Sequence, residues 1–259
     1  MRELIIGLDL GTTALKIALF DKTGKIIAVS TQEYPLLTPQ TDHVEVAPLT
    51  YWQSFKNGLE DLRLQTDFKP EEVKALGFSA QGETLFFLDK NGESLRNAIV
   101  WMDNRAQEEA QALKNKFGDP TCFKVTGQVS FEPCWPASKV LWFKNHEPQL
   151  FAKTDKILLI EDYFIYKMTG KFVAEGSLLT STTYWDINTK KYWPEMLEYI
   201  GINEDQLPEI RESGEVVGTL SEKAAAELGL SSQMIVCTGA LDQAAGAIGV
   251  GNVREGGFS

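Results

Sequence analysis

Cysteine is scarce in this sequence. Cys122, Cys134 and Cys237 are odd in number, widely spaced and never in a Cys-x-x-Cys pair. That argues against a disulfide framework and makes the reduced cytosol the natural compartment, so a cytoplasmic protein is expected. Histidine is scarcer still: His43 and His146 alone leave a zinc site short of good ligands. Positive charge is also in deficit, with 25 Lys and Arg against 36 Asp and Glu and a formal charge of −11. An acidic chain without a basic cluster is a poor partner for nucleic acid or an anionic membrane, because phosphate contacts need Lys and Arg. Any phosphate it holds must be met by backbone N–H groups, hydroxyls or a bridging metal. No stretch approaches the ~20 apolar residues that span a bilayer. Residues 235–251 come closest, and Asp242 and Gln243 interrupt them. The apolar run at residues 4–8 is too short for the core of a signal peptide. Internal repeats and low-complexity segments are missing too.

What remains is an ordinary globular composition, 43% hydrophobic and 24% charged over 259 residues. A chain of this mass buries roughly 70–75% of its extended surface, enough for a core without metal or disulfide staples. Residues 4–8, 15–20 and 26–34 read as three strands, with a turn at Asp21-Lys22-Thr23-Gly24. The joints are too short for crossover helices, so the strands should be antiparallel neighbours. Residues 35–47, with two prolines, read as a loop. Leu49, Trp52, Phe55, Leu59 and Leu62 then recur at helical spacing behind Pro48, which suits a first helical position. Strands are expected at 73–78, 84–88, 156–160 and 234–238. Helices are expected at 105–117, 136–145, 162–168, 194–200, 221–228 and 242–248. Gly170, Gly201 and Gly229 are placed to close three of them. Interleaved strands and helices predict an α/β fold with a mixed sheet.

Four segments carry candidate chemistry. In Leu8-Asp9-Leu10-Gly11-Thr12-Thr13 a carboxylate ends a buried strand, and a Gly with two hydroxyls makes the turn. Such a turn can cradle phosphate oxygens, with Asp9 holding Mg²⁺ and Lys16 adding positive charge. A hairpin without a ligand is the plainer reading. In Thr238-Gly239-Ala240-Leu241-Asp242-Gln243 a strand ends in a Gly turn and Asp242 opens a helix of small residues. The helix N-terminus favours the ionised carboxylate, which suits a general base, though an N-terminal Asp also simply caps a helix. Each acid follows an expected central strand, and ligands gather beyond strand ends in open α/β sheets. One acid could position metal while the other takes the proton of an attacking hydroxyl. In Ser79-Ala80-Gln81-Gly82-Glu83-Thr84, Gln81 and Glu83 could bind sugar hydroxyls, or the segment is a β-turn. In Trp101-Met102-Asp103-Asn104-Arg105 the Trp could face a sugar, and Asp103 with Arg105 could bind hydroxyls or each other.

In this order the segments resemble the FGGY family of carbohydrate kinases, which includes glycerol kinase, xylulokinase and gluconate kinase. Residues 8–13 are similar to its first phosphate motif, residues 79–84 to its substrate loop, and 101–106 to its W-x-D-x-R-A stretch. Glu161-Asp162-Tyr163 with Thr169-Gly170 resembles its D-Y-x-x-x-x-L-T-G segment, with Met168 for Leu. Residues 239–243 are similar to G-x-x-D-Q. The resemblance is collinear from residue 4 to residue 255. It implies an actin- and hexokinase-like domain with a ribonuclease H-like core, a mixed central sheet flanked by helices. It implies transfer of the ATP γ-phosphoryl to a hydroxyl of a small sugar, ketose, sugar acid or polyol. Asp242 would be the general base and Asp9 the Mg²⁺-linked acid. Gly11, Thr12, Thr13 and Lys16 would meet the phosphates. Gln81, Gly82, Glu83, Trp101, Asp103, Trp135, Asp242 and Gln243 would fall at or near the substrate.

Three departures leave the sugar open. Gly82 replaces the Arg of glycerol kinase, Gly82-Glu83 replaces the Met-His of xylulokinases, and Cys134 stands where glycerol kinase has a substrate-contacting Tyr. Family members continue into a second, nucleotide-binding domain. Residues 1–259 are therefore expected to be the N-terminal, sugar-binding domain, inactive or very weak alone and open to homodimer formation when full-length. Other readings use the same residues: an actin- or chaperone-like ATPase, a sugar-sensing module without catalysis, and a glycosidase with two carboxylates.

Overall fold

The structure is a computed structural model that describes residues 2–253. Residues 254–259, and with them the last two residues of the collinear family resemblance, lie outside them. The first three strands are β1 (Leu4–Leu10), β2 (Ala14–Asp21) and β3 (Ile26–Glu33). They form the expected antiparallel meander, with Leu4 opposite Asp21 and Ala14 opposite Glu33. A two-residue strand, β4 (Glu45–Val46), interrupts the expected loop. Helix α1 (Pro48–Gln65) follows, with Pro48 in its first turn. Then come β5 (Val73–Ala80), β6 (Leu85–Leu88), β7 (Ala98–Ile99), α2 (Gln107–Phe117), α3 (Asp119–Thr126), α4 (Pro136–His146) and α5 (Pro148–Phe151). The next stretch holds β8 (Lys156–Leu159), α6 (Ile160–Thr169), β9 (Val173–Glu175), α7 (Gly176–Leu179), β10 (Trp185–Asp186), β11 (Lys191–Tyr192) and α8 (Pro194–Ile200). The last elements are β12 (Glu209–Arg211), β13 (Val216–Thr219), α9 (Glu222–Leu228), β14 (Ile235–Cys237), β15 (Ala240–Leu241) and α10 (Asp242–Gly249).

The main sheet runs β13-β14-β5-β1-β2-β3, and β15 also pairs with β5. Strands β1, β14 and β15 pair in parallel with β5, whereas β2 runs against β1, β3 against β2 and β13 against β14. The sheet is therefore mixed, with parallel strands at its centre. Alternation along each strand sorts its side chains between two faces. Leu4, Ile6, Leu8 and Leu10 of β1 and Leu15, Ile17 and Leu19 of β2 are buried on one face, where Trp52, Phe55, Leu59 and Leu62 of α1 are buried too. Each such side chain contributes about 1.5–3 kcal/mol. The contact is close: a Cβ at Gly58 would stand 2.5 Å from Cδ1 of Ile17. Leu49 was expected on this stripe but is 71% exposed in the first turn, and the buried stripe begins at Tyr51.

The other face carries Ile5, Gly7 and Asp9 of β1, Lys16, Ala18 and Phe20 of β2, and Gly77 and Ser79 of β5. An open cavity of about 770 Å³ lies against them. A second, antiparallel sheet of order β4-β7-β6-β8 leads into α6. There Phe86 stacks on Tyr163 with centroids 4.3 Å apart. Helix α6 is stopped by Gly170 at φ 76°, as its position suggested. Gly201 and Gly229 close α8 and α9 in the same left-handed conformation. No helix among the described residues is long and apolar enough to cross a membrane.

Candidate active site

Register decides where the chemistry lies. Asp9 of β1 is level with Ser79 of β5, and Ser79 is level with Ala240 of β15. All three strands point the same way. Their carboxyl ends therefore deliver the turn at residues 11–13, the loop at residues 81–84 and Asp242 to one edge of the sheet.

The turn after β1 is closed by the Gly11 N–H donating to the Ala14 carbonyl at 3.1 Å. A Cβ at Gly11 would lie 2.7 Å from that oxygen, so glycine is required there. The Gly11 carbonyl accepts from the Tyr34 hydroxyl and, at 3.0 Å, from Nε2 of Gln81. Gln81 thereby ties the substrate-type loop to the phosphate-type turn. The loop itself is strained. Thr84 N–H donates to the Gly82 carbonyl at 2.8 Å across Glu83, which sits at φ 57°. A left-handed non-glycine residue costs about 1–3 kcal/mol and marks sites where geometry is imposed by the surroundings. Burial raises the Glu83 carboxyl above its ordinary range, and the negative charge of Asp242 adds to that.

A cavity of about 460 Å³ opens between these segments. Thr12, Gln81, Gly82, Glu83, Trp101, Trp135, Asp242 and Gln243 line it, together with Gln128, Thr180, Ser181 and Leu241. Trp101 is 40% exposed, and its indole Nε1 donates to Oγ1 of Thr12 at 2.8 Å. Asp242 is exposed at the start of α10, and its Oδ1 accepts from the Gln243 N–H at 2.7 Å.

Not every expected residue reaches this cavity. Asp103 lies wholly behind its wall, where its carboxylate accepts from the Val44 N–H at 2.6 Å and from Arg105 at 2.7–3.0 Å. Of the two sequence readings for Asp103 and Arg105, binding each other is the one realised. Asp9 and Lys16 line the adjoining cavity on the open sheet face. There Asp9 accepts from the Ser79 hydroxyl at 2.9 Å and pairs with Lys16 Nζ at 3.4 Å. The two acids thus stand at neighbouring strand ends and line two adjoining cavities, not one. Gly11 and Thr13 are in the turn but do not line the sugar-sized space.

Sequence reasoning missed Gln128, Thr180 and Ser181, which follow no strand end. It also missed Lys139. This side chain is fully buried, and its Nζ donates to the carbonyls of Val100 at 2.8 Å and Trp101 at 3.1 Å. Desolvation pushes its pKa down to about 8. A lysine inside an apolar helical stretch is the one signal that could have drawn notice.

The profile of the FGGY family of carbohydrate kinases, N-terminal domain, matches residues 4–249. The chain belongs to the FGGY family. The xylulose kinase of Bacillus subtilis is 34% identical over 252 residues, which is 97% of this chain and 50% of that protein. The ligand-bound xylulose kinase of Lactobacillus acidophilus superposes with a TM-score of 0.89 at 31% identity, over 96% of this chain and 50% of that one. The gluconate kinase of the same organism superposes with a TM-score of 0.87 at 30% identity, over 93% and 48%. The FGGY chain spans about half the length of the curated relatives it matches. Its mixed sheet with flanking helices is the actin- and hexokinase-like fold that the motifs implied.

The phosphate turn fits a magnesium-bound nucleotide in kind. Mg²⁺ takes one or two carboxylates and otherwise phosphate oxygens and water. Asp9, one-third exposed at a strand end beside a turn that only glycine can close, offers such a carboxylate.

Proposed function

We propose that this chain is the sugar-binding half of an ATP-dependent carbohydrate kinase that phosphorylates a hydroxyl of a small ketose or polyol. The observation that carries the reading is the meeting of the phosphate-type turn, the Gln81–Glu83 loop and Asp242 around one cavity of about 460 Å³. Gln81, Glu83 and Gln243 supply hydrogen-bonding groups for hydroxyls, and Trp101 and Trp135 supply apolar faces for C–H edges. Asp242 accepts the proton of the attacking hydroxyl as its oxygen bonds to the γ-phosphorus of ATP and the bond to the β-phosphate oxygen breaks, releasing ADP. The turn at residues 11–13 would receive phosphate oxygens, and Asp9 would hold the Mg²⁺. Bound Mg²⁺ would neutralise the charge that develops on the transferred group. In this reading residues 1–259 form the N-terminal domain, and a second domain completes the nucleotide site. Three unpaired cysteines suit a cytoplasmic setting.

Xylulose kinases among the relatives make D-xylulose the first sugar to assay, with other ketoses and alditols beside it. In the full-length protein, ADP release that depends on one of these sugars is the expected result. Asp242→Asn should lower turnover at least a hundredfold and leave sugar affinity within a few-fold, since general-base contributions are typically ~10²–10⁴. Sugar binding without turnover in the wild type would favour a sugar-sensing module. ATP hydrolysis indifferent to every sugar would favour the ATPase.

A further inference from the structure

Asp242 stands at the end of an interrupted strand. β14 ends at Cys237, β15 resumes at Ala240, and both lie along the same side of β5. At the break, Gly239 passes so near β5 that a Cβ there would lie 2.2 Å from the Phe78 carbonyl oxygen. The outer edge of β14 is covered by β13, and residues 214 and 215 carry the backbone bonding on as far as Thr238, where it stops. Beyond that point no described strand covers the edge, and the N–H groups of residues 239 and 241 alternate onto it. Two side chains take the place of the missing strand. Oε1 of Glu161 accepts from the Gly239 N–H at 2.8 Å, and Oγ of Ser177 accepts from the Leu241 N–H at 2.9 Å. Ser177 is held in turn. Its hydroxyl donates to Glu175, which also accepts from the N–H groups of Ser177 and Leu178 and from the Ser213 hydroxyl.

We propose that Glu161 and Ser177 are positioning residues that stand in for a sheet neighbour along residues 239–241 and so aim the Asp242 carboxylate into the sugar cavity. The proposal rests on the reading of Asp242 as the base. Glu161 is fully buried, and its Oε2 has no hydrogen-bond partner among the described residues. It touches neither the sugar cavity nor the phosphate turn, so a direct catalytic role is closed to it. Burial raises its pKa well above the usual carboxylate range. A two-residue strand and an exposed helix start cannot fix a carboxylate by themselves. A displacement of about 1 Å can cost ~10²-fold in rate.

The test compares Glu161→Met, Glu161→Gln and Ser177→Ala in the full-length protein. Glu161→Met keeps the volume and removes the acceptor, whereas Glu161→Gln keeps a neutral carbonyl oxygen. The methionine variant should lose about 10–100-fold in kcat, with KM for the sugar within about threefold and Tm near that of the wild type. Glutamine should restore most of kcat. Equal kcat in the two variants would overturn the proposal. Amide hydrogen exchange tests the same bonds without any assay of turnover. Gly239 and Leu241 should exchange slowly in the wild type. Exchange at Gly239 should quicken at least tenfold in Glu161→Met, and at Leu241 in Ser177→Ala. Wild-type amides at 239 and 241 exchanging like an open loop would sink the brace whatever the activity. Slow amides in a wild type that phosphorylates no sugar would instead count against the kinase reading alone.

Discussion

Lys139 shows how a single side chain shapes the cavity without entering it. Its ammonium is buried against two carbonyls of the Val100-Trp101 turn rather than against a carboxylate. With a folded pKa of about 8 and an ordinary unfolded one near 10.4, the native state sheds a proton that the unfolded chain still binds. Stability must then rise with pH across that window. Between pH 8 and 9.5 the wild type should gain ~1.5 kcal/mol relative to Lys139→Met, read from urea titrations of both proteins. A gap that is flat with pH would show that the folded amine keeps its proton across the window, as the unfolded one does. Asp242, Gln81, Glu83 and Trp101 were legible in the sequence because a polar residue after an apolar run marks a strand end. Asp103 misled for the same reason: its motif fixes its place in the chain but not the partner its carboxylate takes. Here Arg105 and the Val44 N–H claim it.

Among the elements, periodicity was the reliable guide. The three opening strands and α1 have repeats long enough to show a buried side, and the structure places them where their spacing indicated. The two- and three-residue strands β4, β7, β9, β10, β11 and β12 hold no full period, and long-range pairing alone creates them. The break between β14 and β15 was equally hidden, because a glycine that opens a turn and a glycine pressed against a neighbouring strand look alike in sequence. Substitution separates them. Gly170→Ala meets nothing within 4 Å and should cost about 1 kcal/mol for its left-handed backbone. Gly239→Ala meets the Phe78 carbonyl and should cost at least 3 kcal/mol or abolish soluble expression. Thermal melts of the two variants side by side check the order. A reversed order would show that the strand yields at the break.

The molecule as a whole is lopsided. One side of the main sheet is sealed by α1, while the other presents Ile5, Ile26, Val29 and Ile248 around an open cavity of about 770 Å³. An apolar patch of this extent binds hydrophobic probes. The 259-residue chain should enhance the fluorescence of such a dye while fully folded. Ile26→Lys with Val29→Glu should reduce that signal by at least half with little change in melting temperature. An unchanged signal would place the dye elsewhere. The sequence could not announce this asymmetry, since Ile5 and Ile6 are chemically alike and only alternation assigns them to opposite sides. Nor could it announce the bond between Trp101 and Thr12, whose partners lie 89 positions apart. That bond joins the wall of the cavity of about 460 Å³ to the turn after β1, and the indole involved is partly open to solvent. On the proposed reading its emission is a built-in optical gauge of both ligands, and titrating either one alone should shift the signal that the other produces.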